Sequence, residues 1–235
     1  KYRCKIMQQS QQSSPFDDIF LSFLTSLKKA RPWIVCLSAS LFFFYDFMLM
    51  NMFNSINSNI SNTFNLSATE ISWLSGLYPM ATVLFLMVSG LLLDRYSTRK
   101  IILTAMMLCI LSTAGFAISE NVLQAGVFRF LAGATAAFCF LSCVMLASRW
   151  FKEKNLAFVT GLIFTMAMTG GSVSQAPLKS LVELYDWRQA MFILATIGLV
   201  LWSVMYFLIH DSPSQKNIER AENHANMSVA ASLKV

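Results

Sequence analysis

Two ionisable residues of opposite sign lie inside otherwise apolar runs. Asp46 falls in the stretch Leu41 to Met50, and Arg129 falls among Val127, Phe128, Phe130 and Leu131. An ionisable group at mid-membrane costs ~2.5–3.5 kcal/mol on insertion scales, so each must be paired or wetted. Their depths allow pairing. A helix rising from about Pro32 places Asp46 ~21 Å from one membrane edge at 1.5 Å per residue. A helix descending from about Val122 places Arg129 ~10 Å below the other edge, which is ~20 Å from the first in a ~30 Å slab. Burial favours the neutral acid, while a nearby guanidinium favours the carboxylate. A carboxyl balanced between the two can exchange a proton. Three roles follow for Asp46: proton or substrate coupling, a structural ion pair with Arg129, or a group reaching the outer interface. Gly126, Gly133 and Ala136 share the helical face of Arg129 and leave room for close approach or for substrate.

The elements that must position these groups are membrane spans. Of 235 residues, 56% are hydrophobic and 13% are charged, too apolar a composition for a soluble domain of this size. The apolar residues cluster in blocks of about 20, the length that crosses hydrocarbon as a helix. Six helices are expected, at about 32–53, 72–93, 101–118, 122–147, 157–182 and 190–209. The fold class is therefore an all-α, polytopic six-helix bundle. The segment 54–71 reads as a polar connection without Lys or Arg.

Basic residues set the orientation. Arg31, Arg95, Arg99, Lys100, Arg149, Lys152, Lys154, Lys216 and Arg220 all fall on one side, against Lys179 and Arg188 on the other. This asymmetry places both termini in the cytoplasm and accounts for the net charge of +6 without nucleic acid. Trp33, Trp73, Trp150 and Trp187 fall near span ends, where amphipathic rings prefer to lie. The domains are then a cytoplasmic arm (1–31), the bundle (32–209) and a cytoplasmic linker (210–235). That linker reads as the start of a loop towards a missing second bundle.

Four of the five cysteines lie in apolar blocks, with no CxxC pair and no histidine partner, and read as small packing residues. His210 and His224 follow the last block. No metal or cofactor is implied. A serine hydrolase around Gly170-Gly171-Ser172 would lack a histidine to activate the hydroxyl, so an enzyme is not expected. Tyr45, Tyr78, Thr135 and Gln175 are candidate cavity-lining groups, although membrane helices also use such side chains to bond one another.

After the second block comes Gly90-Leu91-Leu92-Leu93-Asp94-Arg95-Tyr96-Ser97-Thr98-Arg99-Lys100. Gly90 allows close backbone approach, and Asp94 can meet a cation or a helix N-terminus at the membrane surface. This loop resembles the signature G-x-x-x-D-R-x-G-R-[RK] of the major facilitator superfamily. Gly90, Asp94 and Arg95 match, while Ser97 and Thr98 depart from it. Arg129 with Gly133 resembles the R-x-x-x-G pattern of that family's fourth helix, and Asp186-Trp187-Arg188 resembles the G-W-R that opens its sixth.

The resemblance covers residues 30 to 210, one six-helix half of a twelve-helix transporter. It implies that Gly90, Asp94, Arg95 and Arg99 form a conformational latch and that the first and fourth helices line the central cavity. It also implies a packing role for the Gly170 and Gly171 region of the fifth helix. The implied function is secondary transport of a small polar or charged solute by alternating access, as proton symport or facilitated uptake of an amino acid, short peptide or organic acid. The implied partners are the solute, a proton, the lipid bilayer of a bacterial inner membrane, and a second six-helix half or second copy. A regulatory half without transport, or a drug/proton antiporter, are the alternatives. Ser174-Gln175 in place of the antiporters' Gly-Pro tells against the second of these.

Overall fold

The computed structural model describes residues 15–151 and 153–209. Among these residues there are seven helices and no strand. They are α1 (Pro15–Asn51), α2 (Phe53–Phe64), α3 (Ala68–Arg95), α4 (Thr98–Ala117), α5 (Val122–Trp150), α6 (Glu153–Leu184) and α7 (Trp187–Leu208). Six stretches are long and apolar enough to cross a membrane: Ala30–Asn51 within α1, and the whole of α3 to α7, 20 to 32 residues each. The six expected spans are therefore present, several of them longer than the apolar pattern alone suggests. The helix of the first span begins at Pro15, inside the segment read as an arm. Cys4, His210, His224 and the linker 210–235 lie outside the described residues.

The polar connection read over 54–71 is instead largely helical. Phe53, Ile56 and Ile60 recur at helical spacing and are buried, which gives the Asn- and Ser-rich α2 an apolar stripe to pack. Ser55 donates from its hydroxyl to the Ser174 carbonyl of α6 at 2.9 Å, and the Trp187 indole N–H donates to Thr63 Oγ1 at 3.0 Å. The helix stops at Asn65, whose φ of 53° is left-handed, a conformation that Asn tolerates better than most residues. Ser67 and Glu70 then form a reciprocal capping box that starts α3. Asn121 caps α5 by accepting from the Gln124 N–H at 2.9 Å.

Helices α1 and α5 are the central elements. The first packs chiefly on α6, the second on α3 and α4, and α7 packs on α4. Two glycines set the closest approaches. A Cβ at Gly133 would overlap the Tyr78 carbonyl of α3, and one at Gly170 would overlap the Phe44 carbonyl of α1. Gly126 and Gly171 face softer neighbours, the Leu77 side chain and the Asn51 amide, each 3.2 Å from a built Cβ.

Gly90 does not mark a close backbone approach. A Cβ there would sit 3.8 Å from Leu141 Cδ2, an ordinary contact, because the facing α5 presents a leucine side chain at that level. Trp187 is not an interfacial ring either: it is 1% exposed, held by Thr63 and by edge contact with Phe116.

Gly133→Ala and Gly170→Ala should each lower stability by about 1–3 kcal/mol, the usual cost of overpacking. Gly90→Ala should stay within about 0.5 kcal/mol of the parent. Unfolding of the three variants in detergent micelles measures the ranking.

Candidate functional site

Helix α1 ends at Asn51, and its last turn lies against α5. Around it Ala125, Gly126, Ala132, Gly133 and Ala136 are all buried and small, so a large side chain at Arg129 has space to lie flat between helices. Arg129 is 2% exposed, Tyr78 2% and Asp46 6%. The three form one buried cluster drawn from α5, α3 and α1.

The geometry differs from a direct ion pair. Among the described residues Asp46 and Arg129 form no salt bridge, and Tyr78 serves both. Its hydroxyl donates to Asp46 Oδ1, and its ring centroid lies 4.5 Å from the Arg129 guanidinium carbon. The guanidinium turns instead to the last turn of α1. Nη1 donates to the Leu49 carbonyl at 3.0 Å and Nη2 to the Met50 carbonyl at 3.4 Å. Those carbonyls form the negative end of the α1 dipole, a favourable seat for a cation. Phe53 of α2 closes over the same guanidinium at 4.9 Å. Depth alone had set the two charges level, but the Arg129 side chain reaches to carbonyls nearly a turn beyond Asp46.

A void of about 10 Å³ adjoins the guanidinium, lined by Ser112, Thr113 and Phe128 among others, and Arg129 Nε has no hydrogen-bond partner. In this conformation the pair does not face a wide vestibule. The Thr82 hydroxyl lies 3.0 Å from the carbonyls of both Tyr78 and Gly133, which fixes Tyr78 against α5. Sequence reasoning missed Thr82 and Phe53. The signal for Thr82 was its position one turn after Tyr78.

The other candidates are dispersed. Tyr45 is fully buried but its hydroxyl end lies against Gly198 of α7, not in the Asp46 cluster. Thr135 donates to the Ala132 carbonyl at 2.7 Å and borders a surface groove between α3 and α4. Gln175 is exposed on α6, and its carbonyl lies 3.3 Å from the Ser55 hydroxyl. At the basic end of the bundle Asp94 and Arg95 are exposed and form no ion pair among the described residues. Arg99 donates to the Tyr206 carbonyl at 2.9 Å and lies 5.6 Å from its ring centroid, tying the start of α4 to the end of α7. Arg149 donates to Thr98 Oγ1 at 2.6 Å. At the opposite end Arg188 donates to the carbonyls of Ala117 and Ser119, closing the end of α4.

Comparison with known proteins agrees with this architecture. The chain is 29% identical over 167 residues to the uncharacterized transporter YybO of Bacillus subtilis, covering 69% of this chain and 38% of that protein. It is 22% identical over 162 residues to the hexuronate transporter of the same organism, with the same coverage. It is 24% identical over 139 residues to a probable sulfoacetate transporter of Cupriavidus necator, covering 59% and 32%. The chain thus spans less than two-fifths of the length of these relatives. Among solved structures, a bacterial homolog of the human lysosomal transporter Spinster, inward-facing and unoccupied, superposes with a TM-score of 0.67 at 17% identity. That match covers 79% of this chain and 44% of that one. A model of the Major Facilitator Superfamily matches residues 36–234, and with six spans in the order that fold requires, the chain belongs to that superfamily.

Proposed function

We propose that this chain forms one wall of a proton-coupled secondary transporter for small organic anions. Such machines rock one helical bundle against another around a midplane site. A second six-helix unit, in the same polypeptide or a second copy, would supply the opposing wall. The observation that carries the coupling role is the Asp46 carboxyl, buried within the first span and held by a phenol hydroxyl rather than by a guanidinium. A carboxyl held this way can gain and lose a proton as water reaches it from one side or the other. Locked in a bidentate arginine pair it would stay ionised.

Arg129 is a positioning residue in this scheme. It joins α1, α2, α3 and α5 and fixes Tyr78, so a change in the charge of Asp46 is felt at the end of α1. The preference for anions rests on relatives whose names specify hexuronate and sulfoacetate. It rests also on charge: carrying a proton with a carboxylate or sulfonate lowers the net charge moved against an inside-negative potential, which is worth about 2.3 kcal/mol per charge at 100 mV.

The test is uptake by the intact protein in vesicles, with labelled galacturonate, sulfoacetate and benzoate as probes. Asp46→Asn should abolish accumulation driven by an imposed pH gradient while exchange of preloaded solute continues. Gradient-driven uptake with an unchanged pH dependence in that variant overturns the coupling role, and a parent protein inert towards all three probes overturns the anion preference.

Arg129→Lys should not substitute for the parent residue. An ammonium cannot stack between Tyr78 and Phe53 while donating to two carbonyls, and loss of those bonds should cost about 1.5–3 kcal/mol. A melting curve in micelles, read beside Tyr78→Phe, checks this. Both variants should destabilise, and the double variant by less than the sum, because the two side chains share one contact.

A further inference from the structure

A groove runs along an exposed side of the bundle between α3 and α4, with α5 as its floor. One part, about 300 Å³, is lined by Tyr96, Lys100, Ile101, Ala105, Leu108 and Phe138. A second, about 290 Å³, continues past Phe85, Val88 and Leu131, and the two parts share Leu92, Leu108, Thr135 and Phe138. Along α4 the lining extends from Lys100 to Ser112, or ~18 Å at 1.5 Å per residue. That is close to the ~15 Å depth of one leaflet's hydrocarbon.

The polarity of the groove is graded. Its deep part is walled by aliphatic and aromatic side chains. Its mouth carries the exposed Lys100 and Tyr96, and the Lys100 ammonium has no ion pair among the described residues. The mouth also lies at the start of α4, a 20-residue helix with no acidic residue in its first turn. Ser97 caps this end by accepting from the Lys100 N–H, and the positive end of the helix dipole adds to the lysine's charge, which an anion offsets. Arg99 is committed elsewhere, to Tyr206.

We propose that this groove is a binding site for one anionic phospholipid. An acyl chain lies along Ile101, Ala105, Leu108 and Phe138, and the phosphate sits at Lys100 and the first turn of α4. Charge complementarity selects the occupant. A neutral apolar chain would fill the deep part equally well but would leave the lysine's charge uncompensated. The lipid belongs to the leaflet on the side of the α3–α4 connection. A basic residue at that surface attracts anionic lipid by about 1 kcal/mol, a preference of about five-fold over a zwitterionic lipid.

The experiment places a reporter beside the groove. Leu111 is exposed on α4, one turn beyond Leu108, and does not line the groove. The intact protein with Leu111→Trp, in phosphatidylcholine vesicles, is titrated with mid-chain-brominated phosphatidylglycerol or brominated phosphatidylcholine. The protein lacking this substitution supplies the fluorescence background. The proposal expects the glycerol lipid to quench the reporter about five-fold more effectively, and the advantage to vanish in Leu111→Trp with Lys100→Gln. Equal quenching by both lipids means ordinary boundary lipid and overturns it. So does an advantage that survives Lys100→Gln. Quenching by neither lipid means that protein covers the groove, which overturns it as well.

Discussion

One buried guanidinium organises this bundle. An arginine carries five N–H donors in a rigid fork and cannot lose its charge in a protein, so a buried one dictates what surrounds it. Here two carbonyls at the end of α1 and the faces of Tyr78 and Phe53 meet most of the demand, and Nε is left without a partner among the described residues. Those partners come from three different helices, and each must hold its place for Arg129 to be satisfied. The small residues flanking it on α5 and the break between α1 and α2 at Met52 fit that requirement.

The arrangement gives Arg129 and Asp46 separate partners. Had Arg129 paired directly with Asp46, the carboxylate would be held in one ionisation state. With the backbone taking up the guanidinium, the carboxyl keeps a partner that can donate to it, the Tyr78 hydroxyl. The same tyrosine presents its ring to the cation and its hydroxyl to the acid. It touches both without joining them in an ion pair.

Much of the fold was legible in the sequence, because hydropathy over twenty residues is an additive property. The six spans followed from it, and so did the prominence of Asp46 and Arg129. What failed had a shared physical origin. Helix α2 was hidden because Asn and Ser dominate its composition, while its buried apolar stripe is only three residues, Phe53, Ile56 and Ile60. The interposition of Tyr78 depends on the rotation of α3 about its own axis, which no single-chain pattern encodes. Gly90 and Gly133 look alike in sequence. Only Gly133 meets a neighbouring backbone, because proximity is decided by what the facing helix presents at that height. Trp187 sits near a span end, as interfacial rings do, but α2 covers it.

The contacts at Gly133 and Gly170 have a mechanical consequence. Where two backbones touch with no side chain between them, no rotamer can absorb a relative displacement. Helices α3 and α5 at Tyr78, and α1 and α6 at Phe44, therefore behave as two stiff couples. Phe44 lies two residues before Asp46, so any tilt of α6 carries that acid with it. The acid's surroundings are then set by how one couple leans on the other, as a latch bolt moves with its door.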